Sequence, residues 1–159
     1  MSIILLCGVS GSGKTHRARQ LEAEGYVRVS TDEIVWQLTD GGLDRLPWPE
    51  RQAVFGRAAQ LLEQRVRQLL DAGTDRIVID ATMCKRAKRD SMRALLRQYG
   101  IEPQLVFLDV PRDELLRRLA TRHGSGPDDQ IVTPAQLASF CQGFERPTPD
   151  EGAERLRQL

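Results

Sequence analysis

One octapeptide near the start of the chain has the residue types and spacing of a phosphate-binding loop. It reads Gly-Val-Ser-Gly-Ser-Gly-Lys-Thr and matches the pattern G-x-x-x-x-G-K-[ST] at every fixed position. Glycines let the backbone turn its N–H groups toward a phosphate. We therefore expect the loop to bind ATP, with Lys14 reaching the β- and γ-phosphates and the Thr15 hydroxyl ligating Mg²⁺. The predicted phosphate-binding residues are Gly8, Ser10, Gly11, Ser12, Gly13, Lys14 and Thr15.

Two aspartates follow predicted strands, at the edge where an α/β sheet binds its ligands. Asp32 lies just past the strand 26–30, and Asp80 ends the apolar strand 76–80. Phosphoryl transfer to an alcohol needs a carboxylate that accepts the proton of the hydroxyl, and Asp32 is the candidate for this base. An aspartate there also suits the N-cap of a helix over 33–38, and spacing alone does not separate the two roles.

Asp80 has two candidate functional roles and one structural alternative. In the manner of a Walker-B acid it would position Mg²⁺ through water, or it would hold a group on the acceptor side. The structural alternative is an aspartate that caps a turn. Asp109 also ends a strand, but Val110 and Pro111 follow it at once, so we favour a capping role for Asp109.

Arginines after the fourth predicted strand are candidates for a lid over the nucleotide. Arg118 and Arg122 are four residues apart, so we expect both on one face of a helix over 113–122. That helix leads into the Gly-Ser-Gly-Pro stretch 124–127. An arginine carried into a mobile loop can close over ATP and neutralise charge on the transferring phosphoryl group. Both arginines are thus predicted to contact ATP, with Arg122 catalytic, and a solvated basic face is the alternative.

A second basic run, Lys85-Arg86-Ala87-Lys88-Arg89, begins soon after Asp80 on the same edge of the predicted sheet. Arg86 is its candidate for the acceptor side, where it would attract an anionic group such as a nucleic-acid end. The run contains no aromatic residue for base stacking. A solvated helix face fits the pattern equally well.

Strands alternate with helices along the chain, which predicts an α/β fold with a mainly parallel sheet. A length of 159 residues, 40% hydrophobic and 28% charged, suits one globular domain. The predicted strands are 3–7, 26–30, 76–80, 104–109 and an edge strand over 155–159, and the predicted helices are 14–24, 33–38, 49–72, 86–99, 113–122 and one from about 133.

Charge, cysteines and hydropathy exclude several classes of protein. The formal net charge is +1, so attraction to nucleic acid would need a local patch. Cys7, Cys84 and Cys141 are far apart and form no C-x-x-C pair, which indicates reduced thiols in a cytoplasmic protein. The apolar run 3–7 is too short to span a bilayer and lacks the features of a secretory signal, so no membrane partner is expected.

Taken together, these motifs resemble the small P-loop kinase domain of polynucleotide 5′-kinases and of related bacterial predicted kinases, which neighbour zeta-toxin-type kinases. The resemblance implies a five-stranded sheet in the order 2-3-1-4-5 with a helical lid. It also implies that Asp32 is the general base, Arg122 the lid arginine on ATP, and Asp80 an acceptor-side acid. It rests on the phosphate-binding loop, Ser30–Ile34, Val78–Thr82, Val106–Pro111, the pair Arg118 and Arg122, Phe144–Pro147 and Glu151–Gly152.

Domains of this kind occur alone or fused to other domains. We therefore expect residues 1–159 to form one kinase domain, with two arrangements open. The domain stands alone, or it is the N-terminal part of a longer protein with a fused or partner domain.

Three positions depart from the family pattern, and all affect the acceptor side. Val35 stands where these polynucleotide kinases carry an arginine for an acceptor phosphate, and Met83 and Leu119 replace frequent asparagines. The favoured function is ATP- and Mg²⁺-dependent transfer of the γ-phosphate to an alcohol, with a polynucleotide 5′-hydroxyl as the favoured acceptor. A small-molecule kinase acting on a sugar, nucleoside or antibiotic is the alternative that Val35 motivates. A non-kinase ATP-dependent regulatory module is the third hypothesis.

Overall fold

The structure, a computed structural model, describes residues 1–157, whose strands form one parallel sheet. The strands pair in the order β2-β3-β1-β4-β5, which confirms the order that the family resemblance implied. The last two residues of the predicted edge strand lie outside the described residues. The strands are β1 (Ser2–Cys7), β2 (Val27–Ser30), β3 (Arg76–Asp80), β4 (Gln104–Asp109) and β5 (Glu154–Arg157).

Helices cover both faces of this sheet. Each helix lies within a few residues of its predicted range, and a left-handed glycine follows several of them, such as Gly25 after the first (φ 96°). Short 3₁₀ turns lie at Leu43–Arg45, Pro127–Asp129 and Pro149–Glu151. The helices are α1 (Lys14–Ala23), α2 (Thr31–Thr39), α3 (Trp48–Asp71), α4 (Arg86–Arg97), α5 (Arg112–Leu119) and α6 (Pro134–Gly143).

The apolar run of β1 lies at the centre of the sheet because both of its faces are covered. Leu5 and Cys7 pack into the core that α3 and α4 share with the sheet, and Leu6 packs toward α1 on the other face. All three are 0% exposed. A strand buried on both sides needs apolar residues at every position, which is why β1 shows no alternation of polar and apolar residues.

Ser30, not Asp32, is the N-cap of α2, so the capping role considered for Asp32 is wrong. The hydroxyl of Ser30 accepts a hydrogen bond from the backbone N–H of Glu33 at 3.2 Å. The helix therefore begins at Thr31, two residues earlier than predicted. Asp32 falls in the first turn, where a carboxylate is favoured by the helix dipole.

Asp109 does not cap α5 either, and this prediction is also wrong. The helix begins at Arg112 with Pro111 as its N-cap, so Asp109 lies too far upstream to reach the free N–H groups. Its carboxylate instead accepts hydrogen bonds from Arg146 (3.0 Å) and from Nε of Arg155 (2.7 Å). These bonds, with burial acting against them, lower the pKa of Asp109. Asp109 therefore ties the C-terminal segment to the end of β4.

A buried ion pair anchors the chain just before β5. The Glu151 carboxylate accepts hydrogen bonds from Arg89 (2.7 and 3.0 Å) and from Arg93 (2.9 Å). The side chains of Glu151 and Arg89 are 0% exposed. Burial acts to raise the pKa of Glu151, but the two arginines lower it to about 2. Part of the basic run of α4 therefore serves the fold.

Within the described residues, none of the helices has the length and apolar character that crossing a membrane requires.

Candidate active site

The phosphate-binding loop joins β1 to α1 and has the backbone conformation that its glycines permit. Gly11 and Gly13 have φ angles of 84° and 94°, in the left-handed region that disfavours other residues. A Cβ at Gly11 would also lie 3.1 Å from the side chain of Leu119, at the end of α5. The loop is thus packed directly against the helix that carries Arg118.

A pocket of about 540 Å³ opens above this loop. It brings together most of the predicted site residues, whereas Gly8 and Ser12 are buried in the loop. His16, Arg19 and Asp128 also line it and were not predicted. Their signal in the sequence is weak, because each is one charged or polar residue among many. The predicted residues that line the pocket are Ser10, Gly11, Gly13, Lys14, Thr15, Asp32, Arg118 and Arg122.

Lys14 is a buried cation at the floor of the pocket. It is 8% exposed, and its Nζ donates to the carbonyl oxygen of Val9 at 3.0 Å. An ammonium group has two further donors, which suits a phosphate. Burial lowers the pKa of Lys14, while the carboxylates of Asp80 and Asp32 oppose that effect.

Asp32 faces the same pocket from the first turn of α2. Burial by the surrounding protein raises its pKa, and the neighbouring acids Asp80 and Asp128 act in the same direction. Lys14 and Arg122 act against that rise. Part of the side chain is nevertheless exposed to the pocket, so a bound acceptor can reach the carboxylate.

Asp80 lies at the end of β3 and is 4% exposed. Its Oδ2 accepts a hydrogen bond from the Thr15 hydroxyl at 3.4 Å. The same oxygen accepts hydrogen bonds from Nε and Nη2 of Arg28, at 2.9 and 2.7 Å. Arg28, on β2, was not predicted as a site residue, because it is distant in sequence from its partners.

The segment 122–130, which we call the lid loop, lies beyond α5 and borders the pocket. The prediction that Arg118 and Arg122 extend from the same helix is wrong, because α5 ends at Leu119 and Arg122 lies beyond it. Nη1 of Arg122 donates to the carbonyl oxygen of Gln130 (3.1 Å), and Nη1 of Arg118 donates to that of Gly11 (3.2 Å). The two arginines still reach the same pocket, one from the helix and one from the loop.

Arg86 does not join this group. It lines a different and smaller pocket and donates hydrogen bonds to Asp90 (3.2 Å) and Asp150 (2.7 Å). Nζ of Lys85 lies 3.6 Å from Oε1 of Glu145. The start of the basic run does not reach the pocket above the phosphate-binding loop, because acids of α4 and of the C-terminal segment bind its side chains.

The residues present fit a magnesium nucleotide. Within residues 1–157, no group of three or more His, Cys, Asp or Glu side chains could hold a metal ion by itself. Mg²⁺ is commonly bound through one or two protein ligands with substrate phosphates completing its coordination. Thr15 and Asp80 are within hydrogen-bond distance of each other and suit that partial set. When bound, the ion would neutralise charge on the phosphates.

Comparison with known sequences places this site in a family. The profile of the family described as AAA domain matches residues 3–147. A nucleotide-binding protein of Paraburkholderia phytofirmans is 27% identical over 152 residues, covering 92% of this chain and 43% of that protein. An aspartate–tRNA(Asp/Asn) ligase of Methanothermobacter thermautotrophicus is 29% identical over 91 residues, covering 56% of this chain and 20% of the ligase. The chain spans less than half the length of both relatives.

Solved kinase structures share the fold. A sugar kinase of Janibacter sp. HTCC2649 has a TM-score of 0.68 at 24% identity, covering 99% of this chain and 85% of its own. A kinase of Chloroflexus aurantiacus, described as putative, has a TM-score of 0.76 at 20% identity, covering 98% of this chain and 84% of its own. The APS kinase CysC of Mycobacterium tuberculosis, in complex with AMPPNP and APS, has a TM-score of 0.59 at 22% identity, covering 98% and 87%. At these identities the likeness establishes the fold.

The fold and the site together define a P-loop domain with a pocket above its phosphate-binding loop. Since the family profile covers most of the 159 residues, the chain belongs to the AAA domain family.

Proposed function

We propose that this domain transfers the γ-phosphate of ATP to the hydroxyl group of a small-molecule alcohol. The observation that carries the proposal is that one pocket contains both Asp32 and the phosphate-binding residues Lys14 and Thr15. A nucleotide switch has no evident use for an exposed carboxylate opposite its phosphate-binding loop. A kinase needs one to activate the acceptor.

In this reaction the acceptor oxygen forms a bond to the γ-phosphorus while the bond from phosphorus to the β-phosphate oxygen breaks, which releases ADP. Asp32 takes the proton from the acceptor hydroxyl. Lys14 and the backbone N–H groups of the loop hold the phosphates, and Arg122 neutralises charge on the transferring group. Thr15 and Asp80 would hold the Mg²⁺ of the nucleotide.

Two observations favour a small molecule over a polynucleotide end. Val35, at the position where the polynucleotide kinases carry a phosphate-binding arginine, is 3% exposed and belongs to the core. Arg86, the other candidate for an acceptor phosphate, is engaged with Asp90 and Asp150. The sugar kinase among the structural neighbours is consistent with this choice.

The experiment is a comparison of acceptors with purified protein, Mg²⁺ and γ-labelled ATP. The panel contains sugars, nucleosides, aminoglycosides and 5′-hydroxyl RNA and DNA oligonucleotides. We expect a small hydroxyl compound to stimulate ADP formation at least about tenfold and to carry the label in equal amount. Label on oligonucleotides alone would establish the polynucleotide kinase, and slow ADP formation that no acceptor stimulates would establish a regulatory module.

The pH dependence of the reaction should reflect the environment of Asp32. Burial raises the pKa of this carboxyl above its ordinary value of 3.8. A base must be ionised to accept a proton, so kcat/KM should fall as the pH decreases through the raised pKa. A rate profile with its acidic limb at or below pH 3.8 in the folded enzyme would contradict Asp32 as the base.

We also propose that residues 1–159 fold as one domain and that a fused or partner domain belongs to its biological setting. The greater length of the relatives supports the second part. A single cooperative thermal transition, seen equally by circular dichroism and calorimetry, is the expected result for the first part.

A further inference from the structure

Arg28 lies buried between the phosphate-binding loop and the lid loop. Its side chain is 2% exposed, although β2 is an edge strand of the described sheet. The guanidinium is surrounded by carboxylates of three different segments. In addition to Asp80 on β3, it donates to Asp128 of the lid loop at 2.9 Å and to Glu33 of α2 at 3.3 Å. An arginine is suited to such bridging because its planar group has five donors.

These contacts form a continuous path from the nucleotide side to the lid loop. The Thr15 hydroxyl donates to Oδ2 of Asp80, and Arg28 donates to that same oxygen. Nη2 of Arg28 also donates to Oδ1 of Asp128. Only two side chains, Asp80 and Arg28, therefore separate Thr15 from the lid loop.

Hydrogen bonds within the lid loop hold its backbone around Asp129, the residue next to Asp128. Oδ2 of Asp129 accepts hydrogen bonds from the backbone N–H groups of His123 (3.1 Å) and Ser125 (3.2 Å) and from the Ser125 hydroxyl (2.7 Å). The carbonyl oxygen of Asp129 also accepts from the N–H of Gly124 at 2.8 Å. Asp129 thus protects three backbone N–H groups of the loop and is the neighbour of Asp128, so release of Asp128 should loosen these bonds and raise amide exchange.

The loop is attached to the protein at neighbouring residues. Asp128 pairs with Arg28 and with Arg19 of α1, and Nε2 of Gln130 donates to the backbone carbonyl oxygen of Asp32 at 3.3 Å. The two arginines differ in environment, because the side chain of Arg19 is 58% exposed. An exposed ion pair contributes little, whereas a buried one is costly to break. Arg28 is therefore the stronger attachment.

We propose that Arg28 is a positioning residue that couples the Asp80 carboxylate to the position of the lid loop beside the pocket. By binding Asp80 and Asp128 at once, it orients the carboxylate beside Thr15 and holds Arg122 over the pocket. Its effect on phosphotransfer rests on the function proposed above. The coupling itself is measurable in the absence of any acceptor.

Amide hydrogen exchange of the nucleotide-free protein tests this coupling. In Arg28→Gln and in Asp128→Asn, we expect the backbone amides of residues 123–130 to exchange roughly tenfold faster or more. This is the effect expected from the loss of one charge-assisted hydrogen bond. Asp128→Asn keeps the pair of Arg28 with Asp80, so it tests the lid even if Arg28→Gln fails to fold. The double variant should exchange little faster than either single variant, because both changes break the same contact.

Two arginines of α1 provide matched controls. Arg17→Gln removes the same charge from a residue whose side chain bonds Gln20, and it should leave the lid exchange unchanged. Arg19→Gln removes the exposed partner of Asp128 and should change the exchange less than about fivefold. Native-like exchange in both Arg28→Gln and Asp128→Asn would overturn the proposal. So would an Arg19→Gln effect as large as that of Arg28→Gln.

Kinetic measurements separate positioning from general stability. We expect Arg28→Gln to lower kcat more than it raises the KM for ATP, and Arg28→Lys to recover part of the loss. Equal kcat in Arg28→Gln and the parent would overturn the link to phosphotransfer. If no acceptor is found for the parent protein, the proposed function fails, while the exchange experiment still decides the coupling.

Discussion

Replacing Asp32 with asparagine should lower the rate of phosphotransfer about 10²–10⁴-fold while ATP binding is retained. Asparagine preserves the size of the side chain but cannot accept the acceptor proton. The proposed phosphate contacts come from Lys14 and the loop backbone, which the change does not touch. Single-turnover transfer and calorimetric titration with a non-hydrolysable ATP analogue measure the two effects separately.

The stability of the Asp32→Asn protein provides a control with a defined sign. The pKa of Asp32 is raised in the folded protein, so this group stabilises the fold at low pH, and that contribution is lost as the pH rises through the raised pKa. Removing the charge should therefore not destabilise the protein at neutral pH.

Asp113→Asn is the matched variant, since Asp113 lies in the first turn of α5 and outside the pocket. Equal turnover in the two variants would remove Asp32 from the role of base.

Replacing Glu151 with alanine should lower the free energy of unfolding by about 3–5 kcal/mol. The change leaves Arg89, which is 0% exposed, without its carboxylate. An unpaired buried charge is more costly than the lost pair was favourable. For a domain of this size the expected decrease in Tm is roughly 6–20 °C, measured by thermal denaturation.

Asp150→Asn is the matched control for this prediction. Asp150 is the neighbouring acid, pairs with Arg86 and is 61% exposed, so its loss should change Tm little. The pH dependence provides a second check, because the pKa of Glu151 is lowered to about 2. Its contribution is present above the ordinary glutamate pKa of 4.5 and is lost as the pH falls toward 2. Equal stability of the two variants would show that the buried pair does not anchor the C-terminal segment.

The parts of the molecule that depend on short sequence patterns were predictable. The apolar run of β1, the glycine loop and α1 follow one another without a gap, and each restricts what the next can be. Within residues 1–157, the structure confirms the fold class and places the strands within a few residues of their predicted ranges. These features depend on the spacing of neighbours, which is fully present in the sequence.

The remaining features depend on competition between groups or on contacts between distant residues. Ser30 and Asp32 both suit a helix cap, and only the backbone geometry determined that Ser30 takes that position. Arg28 is 52 residues from Asp80 and 100 residues from Asp128, so no local pattern connects them. The same holds for Arg86, which was assigned to the acceptor side. One of the acids that bind it, Asp150, lies 64 positions later, so no local pattern connects the two.

The charged edge strand β5 has a consequence for how the protein behaves at high concentration. A parallel sheet with an apolar centre exposes unpaired backbone groups at its edges, where a second molecule could add a strand. Three of the four residues of β5 are charged, namely Glu154, Arg155 and Arg157. Charged side chains on an edge strand oppose the addition of a second strand. The charges of β5 therefore protect this edge from aggregation, and neutralising Glu154 and Arg157, which are not part of the Asp109 contact, should lower solubility before it alters the fold.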